Sequence, residues 1–249
     1  MISFLMQAGF FVIVELAVII SIILIWKMTE KIAFAPGLDL AISLLTWIPW
    51  VAALTFIGWL GVLACVIGQL VAMQIFCFIH WRWSGHRGPS IGATLNRIVG
   101  PVSNNVALLA TVPALPAFLL IRFSQWTTYP MLVWLIKLPP YKQAEWVNVS
   151  RQKFSGLVGH DLVWCLYCDW MTGIYSLGGE MLRNLESFWC PIRFYPGKKC
   201  ENCKLDFPDV EKWVDAKGSM KEVEDILKEK YEGKGWNSWW SHPERNKKD

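Results

Sequence analysis

The feature that most constrains this chain is the near absence of charge from its first 139 residues. They hold only seven Lys or Arg and three acidic residues, Glu15, Glu30 and Asp39. From Gly9 to Trp26 the sequence is almost wholly apolar, and about 20 such residues cross a bilayer core as a helix. The sequence therefore predicts an α-helical polytopic membrane protein.

The second apolar stretch, from Leu38 to Trp81, is too long for one membrane-spanning helix. It predicts either a hairpin of two spans turning near Gly58, or an interfacial segment over 38–48 followed by one tilted helix after Pro49. The charges favour the hairpin. Later apolar runs over 104–123 and 126–138 bring the predicted total to about four to five spans.

The basic residues of the apolar half indicate its orientation. Lys27 and Lys31 follow the first span, and Arg82 and Arg87 follow the second apolar stretch. Because cytoplasmic loops carry an excess of Lys and Arg, we expect an amino terminus outside and a C-terminal part inside. A bacterial-type inner membrane fits this plan. The first apolar run is too long, and lacks the basic flank, for a cleavable signal.

A pair of prolines at 139–140 predicts a domain boundary. We expect a transmembrane domain over 1–139, a small, mostly helical and cysteine-rich cytoplasmic domain over 140–235, and an aromatic and charged tail over 236–249. In the second domain, apolar periodicity predicts a helix over 176–189, and a short helix is expected to start near Asp206. A capping box at Ser219–Glu222 predicts a helix to about residue 231. Acidic and basic residues balance there, which argues against nucleic acid as a partner.

Four cysteines form the strongest chemical signal. Cys165 and Cys168 form one C-x-x-C pair, and Cys200 and Cys203 form another. Each pair places two sulfurs near one point, as a tetrahedral Zn²⁺ site requires. Cys190 and His160 are alternative ligands. Four cysteine ligands leave no open position on the metal, so a structural, stapling role is expected rather than a catalytic one.

Other roles for these thiols stay open. They are candidates for buried core residues, for disulfides in an oxidising compartment, or for ligands of iron or an iron–sulfur cluster. A cytoplasmic location argues against disulfides. The spacing differs from the usual iron–sulfur runs, so zinc is favoured.

The remaining polar candidates are few. Glu15 lies within a span and predicts either a helix-packing contact, with Arg122 as a candidate partner, or an ion or proton path. His80 and His86 are expected in a basic interfacial loop. His160 and Asp161 are adjacent, and Glu180 stands alone; neighbours on a helix point in different directions, so no catalytic constellation is predicted.

These patterns favour a non-enzymatic membrane subunit. The bilayer and the other subunits of a larger membrane assembly are its expected partners, with a metal-stapled cytoplasmic domain that docks them. One alternative is a redox or electron-transfer membrane protein with cysteine-ligated iron. Another is a small transporter or channel that uses Glu15.

Overall fold

The chain is helical throughout the part that the structure describes. A computed structural model describes residues 2–84, 90–136, 138, 140–150, 157–189, 214 and 217–231. Within these ranges there is no strand, and Phe34 and Asn148 form an isolated antiparallel bridge. The helices are α1 (Ile2–Met28), α2 (Gly37–Leu44), α3 (Trp47–Phe56), α4 (Trp59–Trp83), α5 (Ile91–Val99), α6 (Pro101–Thr111), α7 (Leu115–Trp126), α8 (Thr128–Ile136), α9 (Gln143–Trp146), α10 (His160–Trp189) and α11 (Met220–Tyr231).

Three helical stretches in the described residues are long and apolar enough to span a membrane. They are Ser3–Met28, Trp59–Trp83 and Pro101–Ile136. The pair α2 and α3 passes the same test together, but its two helices are bent by 47° at a short break. The described residues thus contain three candidate membrane spans, or four if the bent pair counts as one.

Gly58 separates α3 from α4, which confirms the helix break predicted there. Its φ of 92° lies in the left-handed region that favours glycine, and α3 ends at Phe56 just before it. The N–H of Gly58 donates to the carbonyls of Ala53 and Leu54, which closes the last turn of α3. The chain then begins α4 at Trp59.

Helices α1 and α4 pack closely because small residues line their contact. A Cβ built at Gly68 would lie 2.6 Å from the Phe11 Cβ and 2.9 Å from the Ala8 carbonyl oxygen. Ala64 and Cys65 are fully buried one turn earlier on the same helix, in a cluster with Phe11. Close approach through small residues is a common way for membrane helices to associate.

The described residues fall into two compact units. The first comprises the chain up to Phe118 together with Lys142–Ile174, and the second comprises Leu119–Tyr141 with the residues from Tyr175 onward. The chain therefore returns to the first unit after the predicted boundary at 139–140. The predicted division into a transmembrane domain over 1–139, a cysteine-rich domain over 140–235 and a tail over 236–249 stays a prediction.

Within the first unit, Lys142–Ile174 is joined to the segment around α2 by backbone and side-chain contacts. Ala35 N donates to Val147 O, and Val149 N donates to Ala33 O, both at 2.9 Å. The Trp170 indole N–H donates to the Asp39 carboxylate at 2.9 Å, and both side chains are buried. These contacts place the first half of α10 beside α2.

The capping box at Ser219 is confirmed. Glu222 N donates to Ser219 Oγ at 3.4 Å, and Ser219 N donates to Glu222 Oε1 at 3.0 Å. This reciprocal pair satisfies two of the N–H groups that the start of α11 leaves without a helical partner. The short helix predicted near Asp206 lies outside the described residues.

Candidate functional site

The first cysteine pair lies on one side of α10. Cys165 and Cys168 are three residues apart, so they lie close together on the same helical surface, and both are partly buried. Both line a groove of about 1280 Å³ in the first unit. Two sulfurs on one wall of a cavity are the arrangement that half of a four-cysteine site requires.

The groove is lined by both apolar and polar side chains. Leu108 and Leu109 of α6 contribute apolar surface, as do the indole rings of Trp81 and Trp164. Among the polar side chains, Asn104 Nδ2 of α6 donates to Asn96 Oδ1 of α5 at 2.8 Å. Further lining residues with a polar or sulfur atom are Gln74, Cys77, Ser90, Asn105, His160 and Asp161.

His80 serves as a structural acceptor at the end of α4. Its Nδ1 accepts a hydrogen bond from the backbone N–H of Gly159 at 3.1 Å. An accepting Nδ1 places the proton of the neutral ring on Nε2. Gly159 has a φ of 57°, and a Cβ there would lie 3.0 Å from the Cys77 carbonyl oxygen, so a glycine lets the chain pass α4 before α10 begins. His80 thus belongs to a helix rather than to the predicted loop, and His86 lies outside the described residues.

His160 and Asp161 hold two different elements. His160 Nε2 lies 2.9 Å from Gln74 Oε1 on α4. The Asp161 carboxylate accepts from the N–H of Ile91 at 2.7 Å and of Gly92 at 3.4 Å, at the start of α5. A carboxylate at a helix N-terminus satisfies N–H groups that lack a helical partner. The pair therefore connects α10 to α4 through His160 and to α5 through Asp161.

The predicted zinc ligands are only partly within the described residues. Cys200, Cys203 and the alternative ligand Cys190 lie outside them, whereas the alternative ligand His160 contacts Gln74. Among the residues that the structure describes, no group of three or more His, Cys, Asp or Glu side chains is placed to hold a metal. The four-cysteine site therefore stays a prediction.

A second polar cluster lies inside the apolar helices. Glu15 is close to the middle of α1 and is 2% exposed, so protein atoms cover its side chain. Its Oε2 accepts a hydrogen bond from Gln69 Nε2 at 3.3 Å. Gln69 Oε1 in turn accepts from the indole N–H of Trp50. Arg122, the partner suggested from the sequence, donates instead to Gln125 at 2.7 Å within its own helix.

Tyr167 of α10 lies within electrostatic range of this cluster. Burial raises the pKa of the Tyr167 phenol above its usual range, and the negative charge of Glu15 raises it further. A polar phenol is thus held neutral near the carboxylate.

The second unit contains a polar network of its own. Asn184 Nδ2 lies 2.9 Å from the Tyr129 hydroxyl and 2.7 Å from the Tyr141 hydroxyl. The Tyr141 hydroxyl donates to Glu180 at 3.3 Å, and Arg183 pairs with the same carboxylate. The Glu180 carboxylate therefore has a hydroxyl and a guanidinium as partners, which is typical of a residue that holds packed helices together.

Sequence reasoning missed Gln69 and its contact with Trp50. The indole N–H of Trp50 on α3 donates to the Gln69 side chain on α4. The signal that could have found Gln69 is its amide within an otherwise apolar run, because polar side chains in a span pair with one another or line a cavity. Comparison with known protein families, curated proteins and solved structures gives no match.

Proposed function

We propose that this chain is a membrane-embedded docking subunit of a larger membrane assembly, with a metal-stapled polar part on the cytoplasmic side. The single observation that carries the proposal is that Cys165 and Cys168 present two sulfurs on one wall of a groove. Cys200 and Cys203, the second pair, complete the set of four. Zn²⁺ is the metal that this set favours, and a closed set of ligands stabilises a fold instead of activating water.

A docking role is supported by how the other polar groups are used. His80, His160 and Asp161, which have side chains suited to acid–base chemistry, each contact a backbone or amide group of another element. Side chains in such contacts hold α10 against α4 and α5. They therefore serve the attachment of the polar part to the membrane helices.

The apolar surface over Pro101–Ile136 supports a location within an assembly. Only 6% of its most apolar window is buried. Lipid tails or the helices of other subunits are the surfaces that such side chains contact. Examples of strongly exposed side chains there are Val102, Leu109, Leu120, Phe123 and Trp134.

The basic residues support the orientation. Lys27 and Arg82 are exposed at the C-terminal ends of α1 and α4. We place the amino terminus outside and the C-terminal part in the cytoplasm of a bacterial-type inner membrane. Reduced thiols are the normal state of cysteines in that compartment, and thiolates are the form that binds zinc.

Metal analysis of the purified full-length protein in mild detergent tests the proposal. We expect about one zinc per chain, lost in Cys168→Ser and in Cys200→Ser. Cys65→Ala is the matched control, because Cys65 is buried between α1 and α4 and should leave the metal in place. Wild-type protein without metal would contradict the stapled domain.

Iron would favour the redox alternative. Purified protein that absorbs visible light, with iron instead of zinc lost in the same two variants, would assign the cysteines to electron transfer. The docking role has its own test. Wild-type protein extracted from its native membrane should migrate with other subunits, and Cys200→Ser protein should lose them; a wild type that migrates alone would contradict docking.

A further inference from the structure

The broken helix α2–α3 leaves a backbone carbonyl without a helical donor. In a continuous helix the Leu45 carbonyl would accept from the N–H of residue 49, but that residue is Pro49, which has no N–H. The chain bends by 47° here, and Thr46 is outside the helical region with φ −128° and ψ −96°. Non-helical backbone at membrane depth is tolerated where it is buried in protein or lines a cavity.

Three oxygens converge on one point beside this break. Gln69 Nε2 lies 3.3 Å from Glu15 Oε2, 3.3 Å from Leu45 O and 3.3 Å from Thr46 O. An amide nitrogen carries two hydrogens, so it cannot donate fully to three acceptors. The long, equal distances agree with a shared and incomplete set of hydrogen bonds. The cluster therefore holds more acceptor oxygens than donors.

Glu15 adds an unmatched charge to this excess of oxygen. Its side chain is 2% exposed, and its Oε1 has no hydrogen-bond partner within the part of the chain that the structure describes. A buried carboxylate is strongly unfavourable unless a positive charge compensates it. One carboxylate balances one positive charge, whereas a divalent ion would leave a net charge in the apolar interior.

We propose that Glu15, the Leu45 and Thr46 carbonyls and Gln69 form an intramembrane binding site for a monovalent cation of the sodium class. Carboxylate, carbonyl and amide oxygens are the ligands of hard cations. Unwound helix carbonyls combined with an acidic side chain are a recurrent way to bind Na⁺ at membrane depth. In the cation-free state the Gln69 amide hydrogens take the place of the ion.

Binding of a cation requires the Gln69 amide to move. Its N–H groups now point at the three oxygens, and the Trp50 indole N–H holds the amide oxygen on the other side. A cation at the oxygens would displace these N–H groups, and Trp50 would lose its acceptor. Exchange of the ion is thus coupled to the contact between α3 and α4.

Protons compete with the cation at Glu15. Among the residues that the structure describes, the Glu15 charge acts on two other titratable side chains, Cys65 of α4 and Tyr167 of α10. Both are neutral at ordinary pH, since unperturbed thiols and phenols titrate at about 8.5 and about 10. Glu15 is therefore the group whose protonation would expel the ion, and acid should weaken binding.

The site uses α1, the α2–α3 break and α4, and it requires no metal at the cysteines. The zinc proposal and the cation proposal can therefore fail separately. The test is binding of radioactive sodium to purified full-length protein, at constant ionic strength maintained with N-methylglucamine. We expect saturable binding of about one ion per chain, weakened by acid and displaced by unlabelled Na⁺.

Two pairs of variants identify the ligands. Glu15→Gln should abolish binding, and Ser21→Ala is its control, because Ser21 is on the same helix but is exposed. Pro49→Ala supplies an N–H to the Leu45 carbonyl and should weaken binding about tenfold, the equivalent of one hydrogen bond. Ile48→Ala is the control at the neighbouring position and should bind as the wild type does.

Wild-type protein alone can overturn the proposal, so it does not depend on a variant that folds. Absence of saturable sodium binding from about pH 6 to about pH 9 would assign Glu15 to a protonated packing contact. A preference for Ca²⁺ over Na⁺ would contradict the charge argument. Unchanged binding in Glu15→Gln, or in a folded Pro49→Ala, would remove the proposed ligands.

Discussion

Two sets of polar contacts within the first unit differ in how well donors match acceptors. In the contacts that fasten residues 142–174, Trp170 donates to Asp39, Gly159 donates to His80, and Asp161 accepts from the start of α5. In the cluster around Glu15, one amide nitrogen faces three oxygens, and a carboxylate oxygen has no described partner. The first set is complete in itself, whereas the second is not.

The difference separates stabilising contacts from a site. Buried polar groups in folded proteins are normally hydrogen-bonded, and an unmatched group costs free energy. Matched pairs such as Trp170 and Asp39 are explained by the stability that they provide. An unmatched carboxylate in the middle of a membrane helix has no such explanation, and it points to a ligand.

The largest expected effect comes from crowding the attachment of α10. In Gly173→Ala, the new Cβ would meet the Trp146 carbonyl oxygen and lie 2.9 Å from the Val147 Cα, both on backbone that cannot rotate away. We expect the free energy of unfolding to fall by about 1–3 kcal/mol. Gly179→Ala, with nothing within 4 Å of its Cβ, should raise it by about 0.5–1 kcal/mol. Thermal unfolding in detergent compares them, and equal effects would contradict the close contact.

The next effect is at the start of α5. Asp161→Ala leaves the N–H groups of Ile91 and Gly92 without their carboxylate, so we expect a loss of about 1–2 kcal/mol. Hydrogen exchange should increase at the first turn of α5. Asp225→Ala is a control on α11, where the ion pair with Lys221 is exposed and its removal should not change stability. An Asp161→Ala protein as stable as the control would show that α5 is held by other contacts.

A smaller effect tests the Asp39 contact. Asp39→Asn retains an acceptor for Trp170 but removes its charge, and it should lower the free energy of unfolding by about 1 kcal/mol. A double-mutant cycle with Trp170→Phe isolates the pair, since two changes to one contact are not additive. Strict additivity would mean that Asp39 acts through other groups.

The smallest effect at neutral pH is that of Tyr167. Its pKa is raised in the folded protein, so the unfolded chain loses its proton first, and the stability from the neutral phenol declines as the pH rises above about 10. Tyr167→Phe should remove this part of the alkaline loss, measured as the difference in melting temperature between about pH 8 and about pH 11. Glu15→Gln should reduce it as well. If Tyr167→Phe lost as much melting temperature at alkaline pH as the wild type does, ionisation of Tyr167 would not be the cause of that loss.

Local features of this fold could be predicted from the sequence because each depends on neighbouring residues. The apolar runs predicted the helices of α1 and α4, a glycine marked the break at Gly58, and the spacing of Ser219 and Glu222 marked the start of α11. The amphipathic stretch over 176–189 is the second half of α10. That helix begins earlier, at His160, where large side chains on all faces give no single apolar stripe.

The pairings between distant residues could not be predicted. Asp161 and Ile91 are 70 positions apart, and Glu15 and Gln69 are 54 apart. Periodicity shows which face of a helix is apolar, but not which helix covers it. The excess of oxygens around Gln69 depends on a third element, the break before Pro49, and becomes visible only when all three are placed together.

The most direct test of the distinction between matched and unmatched contacts compares Glu15→Gln with Asp39→Asn in one experiment. Melting temperature and sodium binding are measured for both variants and the wild type. We expect Glu15→Gln to melt at or above the wild-type temperature in sodium-free buffer and to lose sodium binding, because a neutral amide replaces an unmatched carboxylate. Asp39→Asn should melt lower and still bind sodium. A Glu15→Gln protein destabilised as much as Asp39→Asn, with sodium binding intact, would contradict the account.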